Sequence, residues 1–461
     1  MMNILQVVHS LPPYNTAGTE VYTHNLSLEL SKRHQVFVFF RVCDLELKEY
    51  AVVRKNIAGL EAFAVNNSFR MYDSFSLTYQ NEAVAKAFAA VLDEVRPDVV
   101  HIQHLLYLGA GVIEEAKKRK IPIVFTLHDY WLICPQGQLL KNTGEACEGK
   151  NASVCVGCIL YQLNIRKNTF NVYYFFRRFA CGAVLASLKS IYLHYHRLNK
   201  NRLNELIEER AACLKEALLK VSLFIAPSQF LRNKFIESGI AQGKIIFLPY
   251  GFNADKFSSP QKFPSDKLRF GFIGSLLPAK GLGILIQAFN QIKNDKVELK
   301  IYGKESGYKG VLTDYPRQIK KLAKSKNIRF MGGFDNKNIA RIFLEIDVLV
   351  VPSIWPENSP LVIQEAFLSK TPVIASRAGG IPELIEDGIS GLLFNPQSVI
   401  DLRQKMQYVI NNPGIIEKLR LNSVAVKSIE ENAKELEGIY ESLILQARYS
   451  QRGTPLHEYV G

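Results

Sequence analysis

The run Val348-Leu349-Val350-Val351-Pro352-Ser353-Ile354-Trp355-Pro356-Glu357-Asn358-Ser359-Pro360-Leu361-Val362-Ile363-Gln364-Glu365 passes from strand to loop to helix. Its four leading apolar residues predict a strand buried on both faces. A loop follows from Pro352 to Asn358. Ser359 is a natural N-cap, and Pro360 suits the first helical position, where its missing N–H is no loss. The N–H groups of Leu361 and Val362 are then unpaired at the positive end of a helix, a seat for an anion such as phosphate. Glu357 precedes this seat, and Glu365 lies roughly one and a half turns into the helix at about 3.6 residues per turn. Carboxylates accept hydrogen bonds from paired hydroxyls, so ribose on one side and hexose on the other fit a nucleotide sugar. The same residues also read as a capped helix with two solvated glutamates.

Outward from this run, short apolar segments alternate with helical patterns, which points to parallel α/β layers. The expected strands of the first half are Ile4–Val8, Val36–Phe40, Val99–His101, Ile123–Leu127 and Leu223–Ala226. Those of the second half are Phe270–Ile273, Leu299–Tyr302, Ile328–Phe330, Val348–Val351, Val373–Ala375 and Leu392–Phe394. A chain of 461 residues exceeds the usual size of one core, so two domains are expected. The seam falls near Pro249–Asn253, before the polar stretch Ser258–Lys267. This gives a first Rossmann-like domain over 1–250, a second over 251–425, and a closing helix and tail over 426–461. The closing helix, about Val424 to Gln446, is long enough to cross back over the seam. In such open sheets, ligands sit at the C-terminal ends of the strands.

Hydrophobic content of 48% and charged content of 22% are ordinary for a globular protein and argue against long disorder. No signal-peptide pattern and no membrane-spanning apolar run is found, so a cytoplasmic protein is expected. The net charge of +14 is unevenly placed. Residues 159–220 hold eleven Lys and Arg against four Glu, with nine aromatics, among them Tyr173, Tyr174, Phe175 and Phe176 beside Arg177 and Arg178. Basic and aromatic residues interleaved in this way suit the face of an anionic membrane. A pair of core-packing helices with a solvated basic face is the alternative; a nucleic-acid partner is not expected.

Several loops fall where α/β folds bind ligands. Gly274-Ser275-Leu276-Leu277-Pro278-Ala279-Lys280-Gly281 follows the first strand of the second domain and offers backbone N–H groups and a lysine to a phosphate. It lacks the ending of a Walker loop, and no dinucleotide fingerprint follows either leading strand. In the first domain Pro12–Glu20 plays the corresponding part, with Gly18 allowing close backbone approach. His128 and Asp129 follow a strand and should face the inter-domain cleft. Gly379-Gly380-Ile381-Pro382-Glu383 is a further glycine turn entering a helix. Cys134, Cys147, Cys155 and Cys158 are spaced for a structural zinc, Cys155 and Cys158 forming the Cys-x-x-Cys half of a tetrahedral site. An iron–sulfur cluster and plain thiols are the alternatives. No catalytic role is expected there, because four thiolates leave no open coordination position.

Taken together, these motifs resemble the retaining glycosyltransferases of family 4, which have the GT-B fold of two facing Rossmann-like domains. The resemblance runs from Val7 to about Ile444. It is most specific at Glu357–Glu365, Ala375–Glu383, Pro227-Ser228-Gln229-Phe230 and Leu248-Pro249-Tyr250-Gly251. The stretch His128-Asp129-Tyr130-Trp131 through Cys158 is similar to a subset with a cysteine-bearing insertion. The resemblance implies that Glu365 binds ribose hydroxyls and Glu357 faces the donor sugar. It implies that backbone N–H groups of Asn358, Ser359 and Leu361 hold the sugar or its phosphates. Lys280 would neutralise the leaving diphosphate, Gly18 would bring the first-domain loop close, and His128 would contact the donor sugar. Ser275 stands where the family usually has arginine, and nearby Arg377 is the candidate replacement. The loop after Glu357 also lacks the family's glycines.

The implied reaction moves a sugar from a nucleoside-diphosphate sugar to a hydroxyl acceptor, with retention and without a catalytic cofactor, in cell-surface polysaccharide or glycolipid synthesis. The chain contains no Asp-x-Asp, so helix N-termini and Lys280 are expected to stabilise the departing diphosphate. The basic aromatic segment suggests a carbohydrate or lipid-linked acceptor near a membrane. A nucleotide-sugar epimerase and a non-catalytic nucleotide-sugar sensor are the rival readings.

Overall fold

The computed structural model describes residues 1–69, 75–141, 144–149, 154–158, 200–257, 262–304 and 315–452. Strands β1 (Asn3–Val8), β2 (Gln35–Val42), β3 (Val52–Ile57), β4 (Leu60–Asn66), β5 (Val99–Ile102), β6 (Ile123–Thr126), β7 (Leu223–Ala226) and β8 (Ile245–Phe247) form the first sheet. Its order is β3-β4-β2-β1-β5-β6-β7-β8, and only β3 with β4 pairs antiparallel. Strands β9 (Leu268–Ile273), β10 (Val297–Tyr302), β11 (Ile328–Gly332), β12 (Val348–Val351), β13 (Val373–Ser376) and β14 (Leu392–Phe394) form the second, ordered β11-β10-β9-β12-β13-β14 and wholly parallel. This is the α/β doubly wound pair expected from the sequence. The central strands read as unbroken apolar runs because helices cover both faces of each sheet, which gives two core clusters per sheet.

All eleven expected strands are present, and three were missed. The β3–β4 hairpin turns through Ala58 and Gly59, both at positive φ. That two-residue turn has the geometry of the favoured hairpin type without its usual Asn-Gly signal. β8 is a three-residue strand, too short to show a period.

In each sheet the strand order reverses at one place, beside β1 in the first and beside β9 in the second. Crevices open at such points, at the carboxyl ends of the strands. The loops after β1, β6, β9, β12 and β13 converge there.

The closing helix is Ile429–Arg452 and starts later than expected. Ser428 and Glu431 form a capping box: the Glu431 N–H donates to Ser428 Oγ at 3.1 Å, and the Ser428 N–H donates to a Glu431 carboxylate oxygen at 2.9 Å. The helix packs on the first domain, with Ile429, Ala433, Leu436, Tyr440 and Ile444 completing its core. Tyr440 Oη lies 2.6 Å from His101 Nδ1, and Tyr22 donates to Asn432 at 2.8 Å.

Most of the basic aromatic segment, 159–199, lies outside the described residues. Its end lies in the helix Lys200–Leu219, where Arg210 is buried rather than solvated. Its guanidinium donates to the Trp131 carbonyl and lies 5.1 Å from the Trp131 ring centroid. Among the described residues no helix is long and apolar enough to cross a membrane.

Candidate active site

A cavity of about 390 Å³ lies between the two sheets' carboxyl ends. Gly18, His128, Ser275, Lys280, Glu357, Asn358, Ser359, Leu361 and Glu365 all line it, together with Asp129, Tyr250 and Lys304. The residues expected to bind the donor are therefore gathered from both domains into one cleft.

The anion seat differs from expectation by one residue. Pro360 is the N-cap, and the helix runs Leu361–Leu368 without a side-chain cap. Ser359 lies outside the cap because its hydroxyl accepts from Gln364 Nε2 at 3.3 Å. The Ile363 N–H turns back to the Pro360 carbonyl at 3.1 Å, which leaves Leu361 and Val362 facing the cavity wall. Opposite them begins the helix Gly18–Ser31, which also lacks a side-chain cap. A Cβ built on Gly18 would sit 3.5 Å from Leu361, so the two helix N-termini meet across the cleft.

Beside this seat Lys280 Nζ lies 2.7 Å from Glu357 Oε1. Glu357 is buried, and its Oε1 also accepts from Ser353 at 2.7 Å. The lysine lies 5.2 Å from the Trp355 ring centroid and remains partly open to the cavity. Gly281, at φ +70°, makes this loop contact feasible: a Cβ there would fall 1.8 Å from the Pro352 carbonyl oxygen. Glu365 lies further along the same helix, half-buried in the wall. Burial pushes its carboxyl up to about 7, partly offset by Lys256.

On the first-domain side both ring nitrogens of His128 are engaged. Tyr250 donates to Nδ1 at 2.6 Å, and Nε2–H donates to Gln103 Oε1 at 2.7 Å. Burial holds the ring well below its ordinary titration range, so it is neutral at pH 7. The cavity is therefore lined here by a fixed ring rather than a free acid or base. Asp129 accepts from the Trp131 N–H at 2.7 Å and pairs with His104 at 3.1 Å. Burial alone would raise its carboxyl, but His104 and that N–H hold it below its ordinary value. Behind it His9 pairs with the buried Glu20 at 2.9 Å.

Arg377, the candidate replacement for the arginine missing at Ser275, is not among the residues that line the cavity. Its guanidinium is held by Asp387 at 2.8 Å, and among the described residues Lys304 joins Lys280 on the cavity wall. The four cysteines of the expected zinc site share one neighbourhood. Burial first, and then Cys134, Cys158 and Cys147, push the Cys155 thiol up to about 11. Yet among the described residues no three His, Cys, Asp or Glu side chains are disposed to hold a metal ion. Local backbone bonds orient the first two separately: Cys134 closes a turn on the Tyr130 carbonyl, and Cys147 bonds across to Leu139. Sequence reasoning also missed that Tyr250 and Gln103 hold the two ring nitrogens of His128, and it missed the Lys280–Glu357 pairing.

Two family models match the chain: glycosyl transferases group 1 over residues 253–433, and glycosyltransferase family 4 over residues 16–150. An uncharacterized 42.6 kDa protein in the cps region of Klebsiella pneumoniae is 24% identical over 399 residues, 83% of this chain and 87% of that protein. The lipopolysaccharide 1,2-N-acetylglucosaminetransferase of Salmonella typhimurium is 29% identical over 183 residues, 36% of this chain and 47% of that enzyme. Among solved structures, Anabaena HepE in complex with UDP and glucose superposes with a TM-score of 0.64 at 17% identity, covering 96% of this chain and all of that one. Sucrose-phosphate synthase from Thermosynechococcus elongatus gives a TM-score of 0.66 at 17% identity, covering 97% of this chain and all of that one.

Proposed function

We propose that this chain, which belongs to the glycosyl transferases group 1 and has the GT-B fold, transfers a sugar with retention from a nucleoside diphosphate to a hydroxyl acceptor, without a catalytic metal. The observation that carries this reading is the Lys280–Glu357 pair, 2.7 Å apart beside an uncapped helix N-terminus, with Glu365 further along the same helix. Residues 251–425 would bind the donor and residues 1–250 the acceptor. The diphosphate would lie over the N–H groups of Leu361 and Val362, with Lys280 neutralising the charge that builds as it leaves. Glu365 would accept from the ribose hydroxyls and Glu357 would face the sugar.

The bond between the anomeric carbon and the phosphate oxygen breaks, and its electron pair leaves with the diphosphate. The acceptor oxygen forms its bond to that carbon on the same face. Its proton passes to the departing diphosphate oxygen. A neutral His128 with both nitrogens engaged agrees with a ring that shapes the pocket rather than one that takes this proton. The absence of Asp-x-Asp from the sequence supports the assignment of charge stabilisation to Lys280 and the helix end.

The similarity to a protein of a cps region and to a lipopolysaccharide 1,2-N-acetylglucosaminetransferase supports a role in cell-surface polysaccharide or glycolipid synthesis. The basic aromatic composition of 159–220 supports a membrane-proximal, lipid-linked acceptor. A thermal-shift screen of UDP-, GDP- and ADP-sugars tests the donor assignment, since a ligand bound only by the folded state raises the melting temperature. One of the three should stabilise the protein, and no shift with any of them would overturn the reading. Sedimentation with anionic vesicles tests the membrane arm, where binding is expected and its absence counts against it.

A further inference from the structure

Two motifs not used by the donor site meet each other across the domain boundary. Pro227-Ser228-Gln229-Phe230 leads into the first-domain helix Gln229–Glu237, whose first N–H groups need acceptors. Ser228 Oγ accepts from the Leu231 N–H at 3.2 Å. The Gln229 and Phe230 N–H groups instead donate to the two carboxylate oxygens of Glu383, at 2.7 and 2.6 Å. Glu383 belongs to the second domain, so a carboxylate of one domain caps a helix of the other.

A second, buried contact lies alongside. Ser228 Oγ donates to Asn358 Oδ1 at 2.8 Å, and both residues are almost fully buried. Asn358 Nδ2 faces the Leu127 carbonyl at 3.3 Å and Tyr250 Oη at 3.4 Å. Between the two contacts lies Gly380, where an added Cβ would fall 2.9 Å from Ser228 Cβ and 2.1 Å from the Asn358 carbonyl oxygen. The Gly380 N–H donates to the Glu357 carbonyl at 2.7 Å. The turn that reaches the first domain is therefore bonded to the backbone of the residue that holds Lys280.

We propose that Glu383 and Asn358 form a latch that holds the two domains together, and that Glu383 is a positioning residue for the loop carrying Glu357. The Glu383 half is exposed to solvent, where such charge-assisted bonds are readily exchanged for water. The Asn358 half is buried and opens only when the domains part. Opening breaks both halves together, because the helix start at Ser228–Phe230 moves as one piece with the first domain. The latch goes beyond the sugar-transfer reading and does not depend on the identity of donor or acceptor.

The test compares the full chain with Glu383→Ala, Glu383→Gln and Asn358→Ala by solution X-ray scattering and amide hydrogen exchange, with circular dichroism confirming that each variant folds. Asn358→Ala leaves Glu383 intact, yet the Gln229 and Phe230 amides should exchange about tenfold faster than in the unmodified chain, the loss of one buried hydrogen bond. Glu383→Ala should enlarge the radius of gyration and speed exchange of the Gly380 N–H, which bonds the Glu357 carbonyl and not the Glu383 side chain. Glu383→Gln keeps one acceptor oxygen and should fall between the unmodified chain and Glu383→Ala. Unchanged scattering in Glu383→Ala, with faster exchange confined to Gln229 and Phe230, would mean a local helix cap and would overturn the latch. So would unaltered Gln229 and Phe230 exchange in Asn358→Ala. If either of these variants fails to fold, the other decides between latch and local cap.

Discussion

In the proposed donor site, Glu365 introduces a dependence on pH. Its carboxyl is raised to about 7 by burial, whereas ribose hydroxyls donate to the ionised form. Nucleotide affinity should therefore rise with pH through neutrality as the carboxylate forms. Isothermal titration calorimetry from about pH 6 to about pH 8 should show this slope in the unmodified chain. Glu365→Gln should give weaker binding, by roughly tenfold at the upper end, with no slope. Stability runs the other way. A folded-state value above the unfolded one favours the folded form below the unfolded value, near 4.5, and that contribution is lost as pH rises through about 7. Glu365→Gln should thus melt at a higher temperature than the unmodified chain at alkaline pH. Lys280 behaves differently, because its removal leaves the buried Glu357 without a cation 2.7 Å away. Lys280→Ala should slow donor turnover about 10²–10³-fold, the cost of removing one electrostatic stabiliser of the leaving charge. It should also destabilise the fold by roughly 1 kcal/mol, a modest figure because the lysine is partly exposed. Acceptor-independent donor hydrolysis and a thermal melt measure the two effects. Each of these residues could be named from sequence by its place after a strand or within a helix. That Lys280 and Glu357 are partners could not, since a bond between side chains so far apart in sequence has no local pattern.

The secondary-structure elements show where local rules were enough and where packing shifted them. The helix after β12 starts at Leu361 and not at Pro360, because Ser359 turns its hydroxyl towards Gln364. The anion seat survives the shift, since Leu361 and Val362 still begin the helix. The closing helix begins at Ile429 because Ser428-Ile429-Glu430-Glu431 is a capping box, a signal present in the sequence but outweighed by the apolar residues before it. Its anchor is Tyr440, whose Oη lies 2.6 Å from the buried His101. Tyr440→Phe keeps the ring packing and leaves His101 Nδ1 without that partner. The cost should be about 1–3 kcal/mol, read as a lower denaturant midpoint with unchanged slope.

At the scale of the whole molecule, the closing helix belongs to the second domain by sequence and to the first by packing. Removing residues from Ser428 onward would uncover the apolar face formed by Tyr22, Leu26, Tyr250 and Phe252. Such a truncation should be poorly soluble and bind hydrophobic dye, while the full chain should not. The sequence by itself determined the parallel strands of both sheets, except β4 and the short β8, and the loops that carry the proposed donor site, because buried strands, glycine turns and helix starts are written in neighbouring residues. It also pointed to the right family through the order of those motifs. Only the tertiary structure decided that Arg377 is held by Asp387, that His128 has no free ring nitrogen, and that Glu383 reaches across to the other domain. Those outcomes depend on which distant groups come within reach of one another, and burial leaves each polar atom room for few partners. A one-dimensional pattern can place a side chain on an element, but the competition for its hydrogen bonds is settled in three dimensions.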